Sequence, residues 1–253
     1  VGFGIAPHVG WRMVLLGSGL TALWAVVVRK HLPESPLWEK KKQAEISVAR
    51  HWLRTPQGLS ILLRSFVLAT FKLGTYWTCY TWLPKFFLTR FHEPLGRSLL
   101  WILTAQVGQF IGMMAFGKVA DQAGRRQAFT IFSLITGAAL GTLAVGWPWL
   151  LTHRAYFWIT MAGLGFGSGC TAGFGALLAE LYPTAVRNFG MGTTYNCARG
   201  VQILAPAFVY AALTRWDVTG ALLVPTVLAV ATAAWVWTLP ETRGRNLEKV
   251  LSS

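Results

Sequence analysis

Three stretches of this sequence, Ser98 to Gly117, Ala155 to Ala179 and Val218 to Pro240, each run for 20 residues or more without a charged side chain. A helix needs about 20 apolar residues to cross a hydrocarbon core of roughly 30 Å. Inside that core every backbone N–H and C=O must be satisfied within the chain, so an isolated apolar run of this length has to be a helix. Gln127 to Pro148 is a fourth such run, and Met13 to Val28 a fifth, short but extensible by snorkelling of Arg12 and Arg29. Two more spans enclose one cation each, Ser65 to Phe87 around Lys72 and Phe189 to Leu213 around Arg199. The expected fold is an all-α integral membrane protein with seven transmembrane helices. Composition agrees: 54% of residues are hydrophobic and 13% charged, against about 25% charged in soluble domains.

The net charge of +14 is a matter of topology, not of nucleic acid. Fifteen of the Lys and Arg residues outside the spans fall on one side of the membrane and six on the other. By the positive-inside rule the long basic loop before Ser65 and the C-terminus are cytoplasmic. Within that loop Ile46, Ala49 and Leu53 lie opposite Arg50 and Arg54, which suggests an interfacial amphipathic helix closed by Pro56 and Gly58. Cys79, Cys170 and Cys197 all lie within spans and imply neither disulfides nor a zinc site. No signal peptide is visible, and "VGFGIAPHVG" reads like the end of an earlier apolar segment, so the sequence is expected to be a piece of a longer chain.

After the third span comes "GKVADQAGRR", in which Gly117, Asp121, Gly124, Arg125 and Arg126 fit G-x-x-x-D-x-x-G-R-R. This resembles the signature that members of the major facilitator superfamily carry between helices 2 and 3 and again between helices 8 and 9. Glycines there permit a tight turn, and the aspartate can pair with an arginine or cap a helix. "PESPLW" (residues 33–38) is similar to the segment after helix 6 of such proteins, "AELYPTAVRNFG" (179–190) to the helix 10 to 11 loop and "PETRG" (240–244) to the end of helix 12. These motifs are those of the sugar-porter-like branch and its organic-acid relatives. On that alignment residues 1–32 are the end of an N-terminal half (the tail of helix 5 and helix 6), 33–64 the central cytoplasmic loop, 65–240 a six-helix C-terminal transmembrane domain and 241–253 a cytoplasmic tail.

The resemblance implies a secondary transporter of a bacterial inner membrane that works by alternating access, with its site near the midplane. Its expected partners are the bilayer, a small-molecule substrate and the N-terminal half of the same carrier. It also implies cytoplasmic latches: Asp121 with Arg125 at one turn, and Glu180 with Arg187 at the next. Plain helix capping and topology would account for the same residues.

Substrate class must come from buried polar residues. Lys72 lies eight residues beyond Arg64 and Arg199 nine beyond Gly190, so both are about 12–13 Å deep at 1.5 Å per residue. Tyr195, Arg199 and Gln202 recur at i, i+4, i+7 with Asn196 beside them. Lys72 and Tyr76 share a face of their helix, and Gln106 and Gln109 sit three apart on the next. A cation at the bilayer centre costs about 2.5 kcal/mol or more. All nine carboxylates fall in loops or at helix ends, which makes an organic anion the economical partner. Two alternatives stay open: Lys72 can snorkel, and Arg199 can pair with a carboxylate beyond these residues.

Departures from the sugar-porter pattern point the same way, with "ATFKLGTYW" in place of paired glutamines on helix 7 and "GCTAGFGALLAE" in place of a Pro-x-Pro-Trp segment on helix 10. "GTYWTCYTWLPKFF" and "YNCARG" resemble bacterial carriers of sialate, lactate, nicotinate or aromatic acids. Gly165, Gly169 and Gly173 repeat at i+4 and read as helix packing, not as a nucleotide loop. No P-loop is present, which disfavours ATP hydrolysis; the resemblance implies a proton gradient as the energy source, without cofactor, and any coupling acid belongs outside these spans. A sugar or polyol porter is the rival within the class; a non-transporting membrane remnant is the rival from another. An enzyme is disfavoured, because no His, Cys and acid cluster shares one depth.

Overall fold

The computed structural model describes residues 12–13, 16–17, 19, 24 and 27–28 of a first unit, Val1–Ser47, and residues 51–52, 54–89 and 95–244 of a second, Val48–Ser253. In the first unit the described residues are helical. Most of the expected first span and the "PESPLW" motif lie outside them, as does the greater part of the amphipathic segment, of which His51, Trp52 and Arg54 are helical.

The second unit is built from helices α1 (Pro56–Thr89), α2 (Leu95–Ala123), α3 (Arg125–Thr152), α4 (Arg154–Ser168), α5 (Thr171–Leu181), α6 (Arg187–Val201) and α7 (Ala205–Trp235), with 3-10 turns at Gln202–Leu204 and Val236–Thr238. There is no strand among the described residues. Five stretches are long and apolar enough to cross a membrane, and the count of seven is not reached by the described residues. The fifth stretch, Arg187–Thr238, has 52 residues, about 78 Å of helix at 1.5 Å per residue. It bends back on itself: Trp216 and Asp217 leave the helical region, Asp217 with φ 55°, and residues 202 and 228 both reach Gly74 of α1. The stretch is therefore a hairpin with two limbs of membrane length.

α1 starts earlier than expected. The spacing places residues 56–64 in the loop, with Pro56 and Gly58 ending the amphipathic segment. Instead Pro56 opens α1, where a missing N–H costs nothing. Thr55 caps it, its Oγ1 accepting from the Gly58 N–H at 3.1 Å.

Without a hydrophobic drive between helices in lipid, close backbone contact holds the bundle together. A Cβ on Gly165 would lie 1.8 Å from the Ala105 carbonyl oxygen of α2, and one on Gly169 2.3 Å from the Gly112 carbonyl carbon. Gly167 faces the opposite way, onto Phe132 and Thr136 of α3. α4 is thus clamped between α2 and α3. Two aromatic clusters fill the bundle, one around Phe87, Trp101 and Phe157, the other around Phe116, Phe129 and Phe132. Cys79 and Cys170 are buried and Cys197 exposed, all as free thiols.

Candidate functional site

At the α2–α3 turn, Gly124 has φ 106° and ψ 159°, a region essentially reserved for glycine. A Cβ there would also sit 3.0 Å from a Glu241 oxygen. With no side chain of its own to cap α3, the turn is capped from the far end of the chain. Glu241 Oε1 accepts from the N–H of Arg125 at 3.0 Å, and Oε2 from that of Arg126 at 3.1 Å. Glu241 Oε1 also takes the N–H groups of Thr242 and Arg243. Burial alone would push this carboxyl up, but the four backbone donors together hold it below its usual range.

A folded-state value below the ordinary 4.5 means that the cap contributes fully above that pH and is lost as pH falls through the lower value. The Tm difference between wild type and Glu241→Gln should be present at pH 7 and shrink towards zero at the acid end of a pH series. A difference that does not change with pH would show that the charge is not what caps α3.

Arg125 reaches away from this cap. Its Nη1 meets Asp121 at 2.7 Å, while Nε and Nη2 engage both oxygens of Glu180, at 3.2 and 2.9 Å. The Asp121 side chain is 72% exposed, but Arg125 and Glu180 are both 18% exposed, so the bidentate pair is the sheltered one. The Thr242 hydroxyl donates to the same Glu180. Arg187, expected to pair with Glu180, instead donates to the Thr184 hydroxyl at 3.1 Å. Glu180 is already occupied by the guanidinium fork of Arg125, whose planar geometry matches a carboxylate. Arg126 sits over the Trp237 ring at 5.9 Å, and a Cβ at Gly117 would meet nothing within 4 Å. Sequence reading did not assign Glu241 or Thr242 a role, although "PETRG" placed an acid just beyond the last span. A second unassigned junction is the buried hydroxyl set of Ser65, Tyr182 and Thr194, with Ser65 to Tyr182 at 2.6 Å, tying α1 to α6.

The eight expected substrate residues do not converge on one place. Lys72, at the middle of α1, is 5% exposed. It makes no ion pair or hydrogen bond among the described residues. It lines a cavity of about 340 Å³ together with Tyr195 and Asn196 of α6, closed by Phe174, Leu178 and Met191. That volume lies at the lower end of the range typical of small-molecule sites, roughly 300–1,000 Å³. Arg199, one turn further along α6, is exposed and stands 5.9 Å over the Trp77 ring, outside the lining of this cavity. Gln202 turns the other way, its Nε2 donating to the Thr70 and Ala198 carbonyls. Gln202 also opens the 3-10 turn, Gln202–Leu204, that follows α6. Tyr76 packs on Tyr80, ring centroids 4.7 Å apart. On α2, Gln109 is buried and Gln106 exposed, and neither lines the Lys72 cavity.

A profile for the family described as "Sugar (and other) transporter" matches residues 146–252. A protein of Haemophilus influenzae assigned to metabolite transport is 27% identical over 256 residues, covering 96% of this chain and 61% of its own length. A probable 4-methylmuconolactone transporter of Cupriavidus pinatubonensis is 25% identical over 255 residues, 97% of this chain and 57% of its own. A cis,cis-muconate transport protein of Acinetobacter baylyi is 21% identical over 216 residues, 81% and 51% respectively. The chain therefore spans about half to three fifths of the curated relatives it matches.

Proposed function

We propose, for a chain that belongs to the major facilitator superfamily of membrane transporters, that it carries a small organic anion across the membrane by alternating access, in symport with protons. One observation carries the reading: Lys72 is buried at mid-helix without an acidic partner among the described residues and borders a cavity whose other polar side chains are Thr171, Tyr195 and Asn196. A buried ammonium needs a compensating charge. The four acids among the described residues, Asp121, Glu180, Asp217 and Glu241, all stand at helix ends or turns. A substrate carboxylate meets the requirement, with the phenol and amide as orienting hydrogen-bond partners. Two of the chain's relatives are a probable 4-methylmuconolactone transporter and a cis,cis-muconate transport protein, and muconate is such a carboxylate.

The proton enters as coupling ion because a carboxylate with one proton crosses as a neutral load. The acid that takes it up lies outside the spans described. The excess of Lys and Arg on the side of the Gly124 turn makes that side, and the C-terminus, cytoplasmic. The Arg125–Glu180–Thr242 junction and the Glu241 cap then act as a cytoplasmic latch between α3, α5 and the C-terminal segment.

A sugar or polyol porter is the second reading, favoured by the description of the family profile. Uptake by the full-length protein in proteoliposomes separates the two. Saturable uptake of labelled muconate or benzoate, competed by other carboxylates and stimulated by an inward proton gradient, is the expected result. Uptake of sugars that carboxylates do not compete would overturn it.

A further inference from the structure

A second cavity, of about 550 Å³, opens where the N-termini of α1 and α3 meet the C-terminal end of the α7 limb, and the reading above makes no use of it. Its walls carry Gln57, Ser60, Arg64 and Arg126, with Ile61 and Thr238. No carboxylate lines it, and neither arginine has an ion pair among the described residues. The nearby Glu241 is occupied by four backbone N–H groups. Arg126 Nε is buried without a hydrogen-bond partner. Arg64 directs Nη1 to the Thr238 carbonyl at 2.9 Å, leaving the rest of its fork unengaged. Two positive guanidinium groups and the positive end of the α1 dipole thus share a pocket with no carboxylate among its described lining residues.

The surroundings distinguish a lipid from a free ion. Trp235 and Trp237 flank the site, their indole N–H groups donating to the Arg64 carbonyl and to Thr130. Tryptophan collects at the headgroup level of a bilayer. Around the two arginines Leu63 and Trp237 are exposed and apolar, and so are Ile131 and Leu134 further along α3. Basic pockets between helix ends are where anionic headgroups dock.

From this combination we infer that the cavity seats the phosphodiester headgroup of an anionic phospholipid, gripped by Arg64 and Arg126, with an acyl chain along the α3 and α7 wall. The site joins the ends of α1, α3 and α7, so its occupant bears on the same end of the bundle as the Gly124 turn.

The test is tryptophan quenching of the full-length protein in mixed micelles with brominated phosphatidylglycerol or brominated phosphatidylcholine. Stronger quenching by phosphatidylglycerol is expected, with most of the preference removed by Trp237→Phe. Apparent affinity should weaken about fivefold for each arginine lost in Arg64→Gln and Arg126→Gln. Equal quenching by the two lipids in the wild-type protein would overturn the inference, and so would a preference that survives both arginine changes. Displacement of the brominated lipid by millimolar inorganic phosphate would assign the site to a free anion instead. The wild-type lipid comparison and Trp237→Phe keep the test decisive should an arginine variant fail to fold.

Discussion

Replacing Lys72 with glutamine is expected to weaken carboxylate uptake by at least tenfold, with most of the loss in KM, while Arg199→Gln has the smaller effect. The difference comes from surroundings, since both are cations at mid-span. Lys72 is enclosed by α1, α5 and α6, where a charge-assisted hydrogen bond is worth about 1.5–3 kcal/mol, or roughly 10- to 100-fold in affinity. Arg199 is exposed and already rests on the Trp77 ring, a contact worth about 0.5–1 kcal/mol at an exposed site. Glutamine is one bond shorter than lysine but keeps N–H donors and removes the charge, so unchanged folding is expected and can be checked by gel filtration. Lys72→Arg should retain part of the uptake. If Lys72→Gln transports normally and Arg199→Gln does not, the anion binds along the exposed face of α6 and the Lys72 cavity is not its site.

The second large effect is structural. Glu180→Gln is expected to destabilise the protein by about 2–3 kcal/mol, because it removes a bidentate, charge-assisted partner and leaves Arg125 partly buried with Asp121 alone. In a chain of this size that corresponds to a fall in Tm of roughly 2–4 °C per kcal/mol. Asp121→Asn should cost only about 0.3–0.5 kcal/mol, since its partnership is an exposed i, i+4 pair. Thermal unfolding of the two variants in the same detergent compares them directly. Equal losses would mean that the aspartate of the G-x-x-x-D-x-x-G-R-R turn carries as much as Glu180, against the geometry. If the junction is also a latch, Glu180→Gln should alter the balance between inward- and outward-open forms, seen as changed labelling of a single engineered periplasmic cysteine.

Some of this was open to reading from residues alone. Uncharged runs of 20 residues or more can satisfy their backbone only as helices in lipid, so the all-helical membrane character follows from hydropathy. Glycines at i+4 on one helix face permit close approach wherever a neighbour lies, and Gly165 and Gly169 met α2. Asp121 and Arg125 are four apart on adjoining helix ends, a local relation that spacing conveys.

Relations between distant segments were not legible in that way. Glu180 lies 55 residues from Arg125 and seven from Arg187; the resemblance implies a latch with Arg187, whereas the structure pairs Glu180 with Arg125. Glu241 caps a helix that begins 116 residues earlier, which no local pattern announces. Helical spacing puts Tyr195 and Gln202 on one face, but packing gives them different neighbours: Tyr195 lines the Lys72 cavity and Gln202 donates to the Thr70 carbonyl of α1. A proline such as Pro56 can end one helix or open the next, and only the cap at Thr55 decides. By itself the sequence determined the solvent of this protein and the helical character of its apolar spans, because these depend on the burial of each residue's own surface and backbone. Tertiary structure alone decided which cation is enclosed, which acid each arginine meets and where the chain folds back, because those outcomes depend on packing between residues the sequence holds far apart.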